Sequence, residues 1–342
     1  MRISWRTAVG GLAGLAGAVT WALGSAVYQP IMEPPGSWYD SGAVQRTLES
    51  NTYWPRELRH LAILLALAGI LVLCRTAPRA IAVGAVATGG WFAADVLLDR
   101  FDVRGTVTAV VLATAAAAYF TATAVIAGRL SRGDTGDPAV RHVVAGTLAL
   151  LAVTALLVVT PWVEQITLRQ LQVEAEMTVL KVVVCVLFAV LAAATTGRPA
   201  ARAGATLGFG LVAVVAGVFV AVGEYQFIYS PALLIAVAAA MVAVAAPRVR
   251  SIAGLVGMTV ISAVCTVASF AVLAIGGMLV GSLLTSLAGN PPINSADTDI
   301  SAPLVMTALG VAMSLLTLAV TALPAALRAV QAGPPGSPAA AG

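Results

Sequence analysis

The sequence predicts an all-α fold, a polytopic transmembrane helical bundle of about ten spans with both termini cytoplasmic. Three observations predict it. Hydrophobic residues make up 60% of the chain and charged residues 10%, with a mean hydropathy of +0.96, whereas soluble domains carry roughly 25% charged residues. Charge-free runs of about twenty residues recur along the chain, long enough to cross a hydrocarbon core of about 30 Å. The arginines between those runs alternate in the manner that sets orientation in a bilayer. A soluble protein is excluded. The net charge of +4 is loop charge, so no nucleic-acid partner is expected.

The spans fall at 7–28, 58–74, 80–98, 106–128, 142–162, 177–196, 204–223, 231–247, 252–282 and 302–326. The first follows Arg2 and Arg6 and ends in small residues. That pattern is shared by signal peptides, but the apolar run exceeds their usual length of about 7–15 residues, so it is read as a retained helix. The second has a short apolar core, Leu61 to Cys74, and its helix is expected to start near Pro55, a residue suited to a first turn. The ninth run is charge-free from Ser251 to Gly289. It is either one long tilted helix or two pieces broken at Gly276-Gly277. Residues 1–330 read as a single membrane domain, and 331–342, "QAGPPGSPAAAG", as a low-complexity disordered tail.

With the N-terminus inside, the inner segments hold Arg2, Arg6, Arg75, Arg79, Arg129, Arg132, Arg141, Arg198, Arg202, Arg248, Arg250 and Arg328. Every inner segment then carries a positive charge. The acids segregate the other way. Only Asp134 and Asp137 fall inside. Glu33, Asp40, Glu49, Glu57, Asp95, Asp99, Asp102, Glu164, Glu174, Glu176, Glu224, Asp297 and Asp299 all lie outside or at outer helix ends. Orientation does not require this, because acids contribute little to it. Either a solvated outer surface or an acid-lined cavity open to the outer half explains it. The expected location is the cell membrane, as a multi-pass protein.

Three segments pair acids with aromatics. In "WFAADVLLDRFD", Trp91, Asp95, Asp99 and Asp102 are spaced to stack on one helical face. Asp95 is the deepest, and an ionisable residue within a span is by default a candidate functional group. A neutral carboxyl there is a potential proton donor. The plainer reading is a helix end paired with Arg100 and Arg104. "TPWVEQ" places Trp162 and Glu164 at the outer end of the fifth span, where tryptophan is commonly an interfacial anchor. "VGEYQFIYSP" places Glu224, Tyr225, Phe227 and Tyr229 in a short loop with no local basic partner. Lys181, the sole lysine, lies about one turn inside the sixth span. It either snorkels to the interface or pairs with a carboxylate of a neighbouring span, Asp95 or Glu224.

No phosphate loop, HExxH, nucleotide fingerprint or serine-triad signature is present. Cys74, Cys185 and Cys265 are scattered through apolar runs without metal spacing, and His60 and His142 stand at span edges. "DVLLD" has the DxxxD form of magnesium sites in some prenyl-diphosphate enzymes, but no second aspartate-rich span accompanies it. No metal and no cofactor is expected.

A membrane-embedded acid beside aromatic faces is the arrangement needed to protonate a polyene and hold the resulting cation. On "WFAADVLLD", "PWVEQ" and "GEYQFIYS" the chain resembles the bacterial integral-membrane terpene cyclases of terpenoid–indole and meroterpenoid pathways. Its Ala-, Val- and Arg-rich composition suits the high-GC bacteria that carry such pathways. The resemblance implies an isomerase- or lyase-type cyclase acting on a hydrophobic prenylated small molecule that reaches it through the lipid bilayer. Asp95 or Glu224 would be the proton donor and Asp99 its positioning partner. Trp91, Trp162, Glu164, Lys181, Tyr225, Phe227 and Tyr229 would contact substrate. The competing class is a proton-coupled small-molecule transporter or permease, for which ten spans and membrane acids are equally suited. An accessory subunit without an active site is the third.

Overall fold

A computed structural model describes residues 4–32, 42–101, 103–158, 168–196, 208, 252–288 and 301–331. The elements within them are helical. We number them α1 (Trp5–Met32), α2 (Gly42–Leu73), α3 (Pro78–Arg100), α4 (Thr106–Leu130), α5 (Pro138–Val158), α6 (Leu168–Thr195), α7 (Ile252–Ala288) and α8 (Ala302–Gln331). Six of them (α1, α3, α4, α5, α6 and α8) are apolar over a length sufficient to cross a membrane. The expected spans at 204–223 and 231–247 lie outside the described residues, as does the tail from 332 onward.

The centre of the bundle is α2, which packs against α1, α3, α4, α5, α6 and α8. Residues 55 to 66, PRELRHLAILLA, are buried without a break. A helix buried on every side is normally apolar all round, yet this one carries Arg56, Glu57, Arg59 and His60. One expectation is corrected here. Pro55 does not open the helix but lies inside it. Neighbouring helices enclose the charged residues before Leu61.

Small residues let α1 and α2 approach. A Cβ on Gly17 would stand 2.6 Å from the Ala62 carbonyl oxygen, and one on Gly69 2.6 Å from that of Gly10. At Gly14 a side chain would overlap the ring of Phe120 on α4. Backbones in a membrane bundle pack through such glycine-lined contacts, since burial of apolar surface drives little association in lipid.

The ninth run forms one unbroken helix. α7 continues through Gly276-Gly277, and at 1.5 Å per residue its 37 residues span about 55 Å, well beyond the hydrocarbon thickness.

The two ends of the bundle differ. The C-terminal ends of α1 and α3 meet the N-terminal half of α2 and the N-termini of α6 and α8, joined by bonds among Trp21, Arg59, Asp95, Asp99, His60, Ser301, Gln170 and Ile31. At the other end Arg75, Arg79, Arg129 and Arg132 flank the α2–α3 and α4–α5 turns.

Candidate functional site

The site is a buried network of ionisable groups centred on Arg59. On α3 the buried positions are Ala80, Gly84, Trp91, Asp95 and Asp99, the last three one helical turn apart. This is the face on which the spacing in "WFAADVLLD" places them. Asp102 lies outside the described residues. Arg59 reaches across from α2. Its Nε stands 3.2 Å from Asp95 Oδ1 and its Nη1 3.1 Å from Asp99 Oδ1. The Arg59 side chain and both carboxylates are at most 3% exposed. The planar guanidinium fork suits two carboxylates a turn apart, which a point-charge ammonium would bridge poorly.

Asp95 has two further neighbours. The indole Nε1 of Trp21, on α1, donates to Asp95 Oδ1 over 2.7 Å. His60 Nε2 lies 3.7 Å from Asp95 Oδ2, and its Nδ1 lies 3.1 Å from the Ser301 hydroxyl. Ser301 immediately precedes α8, and Glu57 accepts from the backbone amide of Ala302 at 3.2 Å. A carboxylate at a helix N-terminus meets the positive end of the helix dipole. Four helices are thus tied at one level through α2: Arg59 to α3, His60 and Glu57 to α8, and Trp21 of α1 to Asp95.

A π-helical turn in α1, Gly24–Tyr28, sits directly against this network. Such turns concentrate at functional sites. Gly24 is what permits the approach, since a Cβ there would stand 2.6 Å from Arg59 Cγ. Gly24→Ala is therefore expected to push Arg59 off its carboxylates. A loss of about 1–3 kcal/mol, typical of overpacking, should appear as a lower unfolding midpoint of the detergent-solubilised protein. An unchanged midpoint would mean that Arg59 is not clamped there.

Aromatic rings border the network. Trp91 meets Trp21 edge-on with centroids 5.6 Å apart and Tyr119 at 5.8 Å, and Phe92 meets the His60 ring at 5.1 Å. The Trp91 indole N–H is buried and has no acceptor among the described residues. Buried indoles ordinarily find one.

One expected pairing differs. The basic partner of Asp95 and Asp99 is Arg59, while Arg100 donates to the Leu287 carbonyl of α7 at 3.2 Å. Lys181 is buried in α6, and Glu174, two turns earlier on the same helix, acts on its charge; the expected pairing with Glu224 lies outside the described residues. Trp162, Glu164, Glu224, Tyr225, Phe227 and Tyr229 lie outside the described residues. Sequence reasoning missed Arg59, His60, Trp21 and Ser301. The signal for the first two was "PRELRH" set directly against the apolar run that begins at Leu61.

No family model, curated protein or solved structure matches the chain.

Proposed function

We propose that this chain is a multi-pass protein of the cell membrane that couples proton movement to passage of a small molecule, with Arg59, His60, Asp95 and Asp99 as its working centre. The observation that carries this reading is the burial of Asp95 and Asp99, one helical turn apart, on the single guanidinium of Arg59. His60 Nε2 stands 3.7 Å from Asp95 Oδ2. Ionised carboxyl groups in a low-dielectric interior are costly, and a proton taken up beside His60 lowers that cost. A proton held this way is the element that pumps and coupled transporters use. The test is direct. Proteoliposomes of the purified protein should take up protons when an outward solute gradient is imposed, and protein-free vesicles should not.

The aromatic border favours a second reading, the terpene cyclase. Trp21, Trp91 and Tyr119 next to a carboxyl group would stabilise a cation, and the unpaired Trp91 N–H could bind a substrate oxygen. It ranks second because Asp95 is ion-paired with Arg59 and accepts from Trp21, whereas a donor to an alkene must first leave such partners. Conversion of a geranylated or farnesylated acceptor by purified protein, without proton flux, would put the cyclase first.

Ten spans with both termini inside complete the reading, with the Asp95 end of the bundle outward. The ends of α4 test it. In a background lacking Cys74, Cys185 and Cys265, Thr106→Cys should react with an impermeant thiol reagent on intact cells and Thr135→Cys should not. Both positions are exposed. The reverse pattern would overturn the orientation.

A further inference from the structure

At the end of the bundle opposite the Asp95 network, a cavity of about 250 Å³ opens between the α2–α3 turn and the α4–α5 turn, with Arg75, Ser131, Asp134 and Thr135 in its lining. We propose that this cavity binds the headgroup of a phospholipid bearing a primary ammonium, a phosphoethanolamine-type group, with Arg75 taking the phosphate and Asp134 the ammonium. The site is independent of the proton-handling network.

Four observations carry it. The lining presents both charge signs with two hydroxyls, the complement of a zwitterion. Ser131 is 7% exposed and its hydroxyl has no hydrogen-bond partner among the described residues. A buried hydroxyl without a partner calls for an explanation, and a missing ligand is one.

The third observation is the backbone. Arg75 and Thr76 are consecutive non-glycine residues at φ 54°, a left-handed conformation that is unfavourable for residues with a side chain and gathers at ligand clamps. It is held from several sides. Thr76 N–H donates to the Leu71 carbonyl at 2.8 Å, and Gly136 N–H donates to the Arg75 carbonyl at 3.2 Å. The turn that carries Arg75 is thereby fixed to the loop that carries Asp134.

The fourth is position. The cavity adjoins the last turn of α4, where Val125, Ile126 and Leu130 expose 46%, 51% and 50% of their surfaces and offer a path for acyl chains. Arg79, Arg129 and Arg132 add positive potential of the kind that draws lipid phosphates to helix ends. The cavity is smaller than the usual drug-sized pocket of about 300–1,000 Å³, so it suits a headgroup with its chains outside. Asp134 is committed only loosely, at 3.7 Å from an Arg79 side chain that is 67% exposed. Such a surface pair contributes little, so an ammonium can take its place.

The experiment reconstitutes the full chain in phosphatidylcholine nanodiscs containing a minor fraction of phosphatidylethanolamine or, in parallel, phosphatidylglycerol. Retained lipid is then counted by native mass spectrometry. Wild type should retain phosphatidylethanolamine enriched about tenfold over its bulk fraction, the factor that one additional charge-assisted bond supplies. Asp134→Asn should still hold phospholipid but lose the preference for the ethanolamine form. Arg75→Ala should lose retained phospholipid, with Arg75→Lys restoring part. Asp134 is part-exposed, so its variant carries the test even if Arg75→Ala does not fold. Equal enrichment in wild type and Asp134→Asn, or preference for phosphatidylglycerol over both other lipids, would overturn the proposal. So would displacement of the lipid by soluble phosphoethanolamine at equal concentration, which would make the ligand a water-soluble molecule.

Discussion

Arg59→Met should destabilise the protein more than any other single substitution in the bundle, by about 3–5 kcal/mol, the range for breaking a buried ion pair from one side. The cause is not the loss of attraction alone. Asp95 and Asp99 each lie within 3.2 Å of the guanidinium, and its removal leaves two carboxylates buried against each other a turn apart. Arg59→Lys should recover only part, because an ammonium cannot present two donors with the same fork. Adding Asp95→Asn and Asp99→Asn to Arg59→Met should recover most of it, since replacing a whole buried ionic group is often close to neutral. Unfolding midpoints of the four proteins in one detergent check this. If Arg59→Met is as stable as wild type, the three side chains do not form a buried unit.

The second large effect separates folding from function. Asp95→Asn keeps an oxygen to accept from the Trp21 indole and leaves Asp99 paired with Arg59, so the protein should remain folded. It removes a carboxylate from the shared-proton cluster and can neither gain nor lose a proton. Proton uptake driven by an outward solute gradient in proteoliposomes should fall by about a hundredfold or more, the scale associated with losing a group that passes protons. A normal rate in Asp95→Asn, with normal folding, would assign the proton to another group. Under the cyclase reading the same variant would abolish product while leaving membrane insertion intact.

Much of the architecture was legible in the chain, because a bilayer forces backbone groups to bond internally and so makes apolar runs into helices. The column Trp91, Asp95 and Asp99 was legible for a similar reason: spacings of four fix a helical face regardless of what packs on it. Its partner was not. Arg59 belongs to a charged segment, PRELRH, that reads as the edge of a span when hydropathy alone is followed. Only the enclosure of α2 by its neighbours buries it. Trp21 looks like one more apolar residue in α1, and its bond to Asp95 joins positions 74 residues apart, a separation that no local pattern encodes. Ser301 reads as the end of a loop until α8 is seen to begin beside His60. The glycines of α1 were visible as small residues, but their use depends on which helix they face. Gly24 acquires its role only because the stem of Arg59 lies against it.

The most direct measurement of the central claim is infrared difference spectroscopy of the reconstituted protein between acidic and alkaline buffer. The account predicts a carbonyl band of a protonated, poorly exchanging carboxyl group in wild type over part of that range, displaced or lost in Asp95→Asn or Asp99→Asn. The complete absence of such a band at every pH where the protein is folded, together with a His60 imidazole that never gains charge, would show an ionised network that serves structure and holds no exchangeable proton.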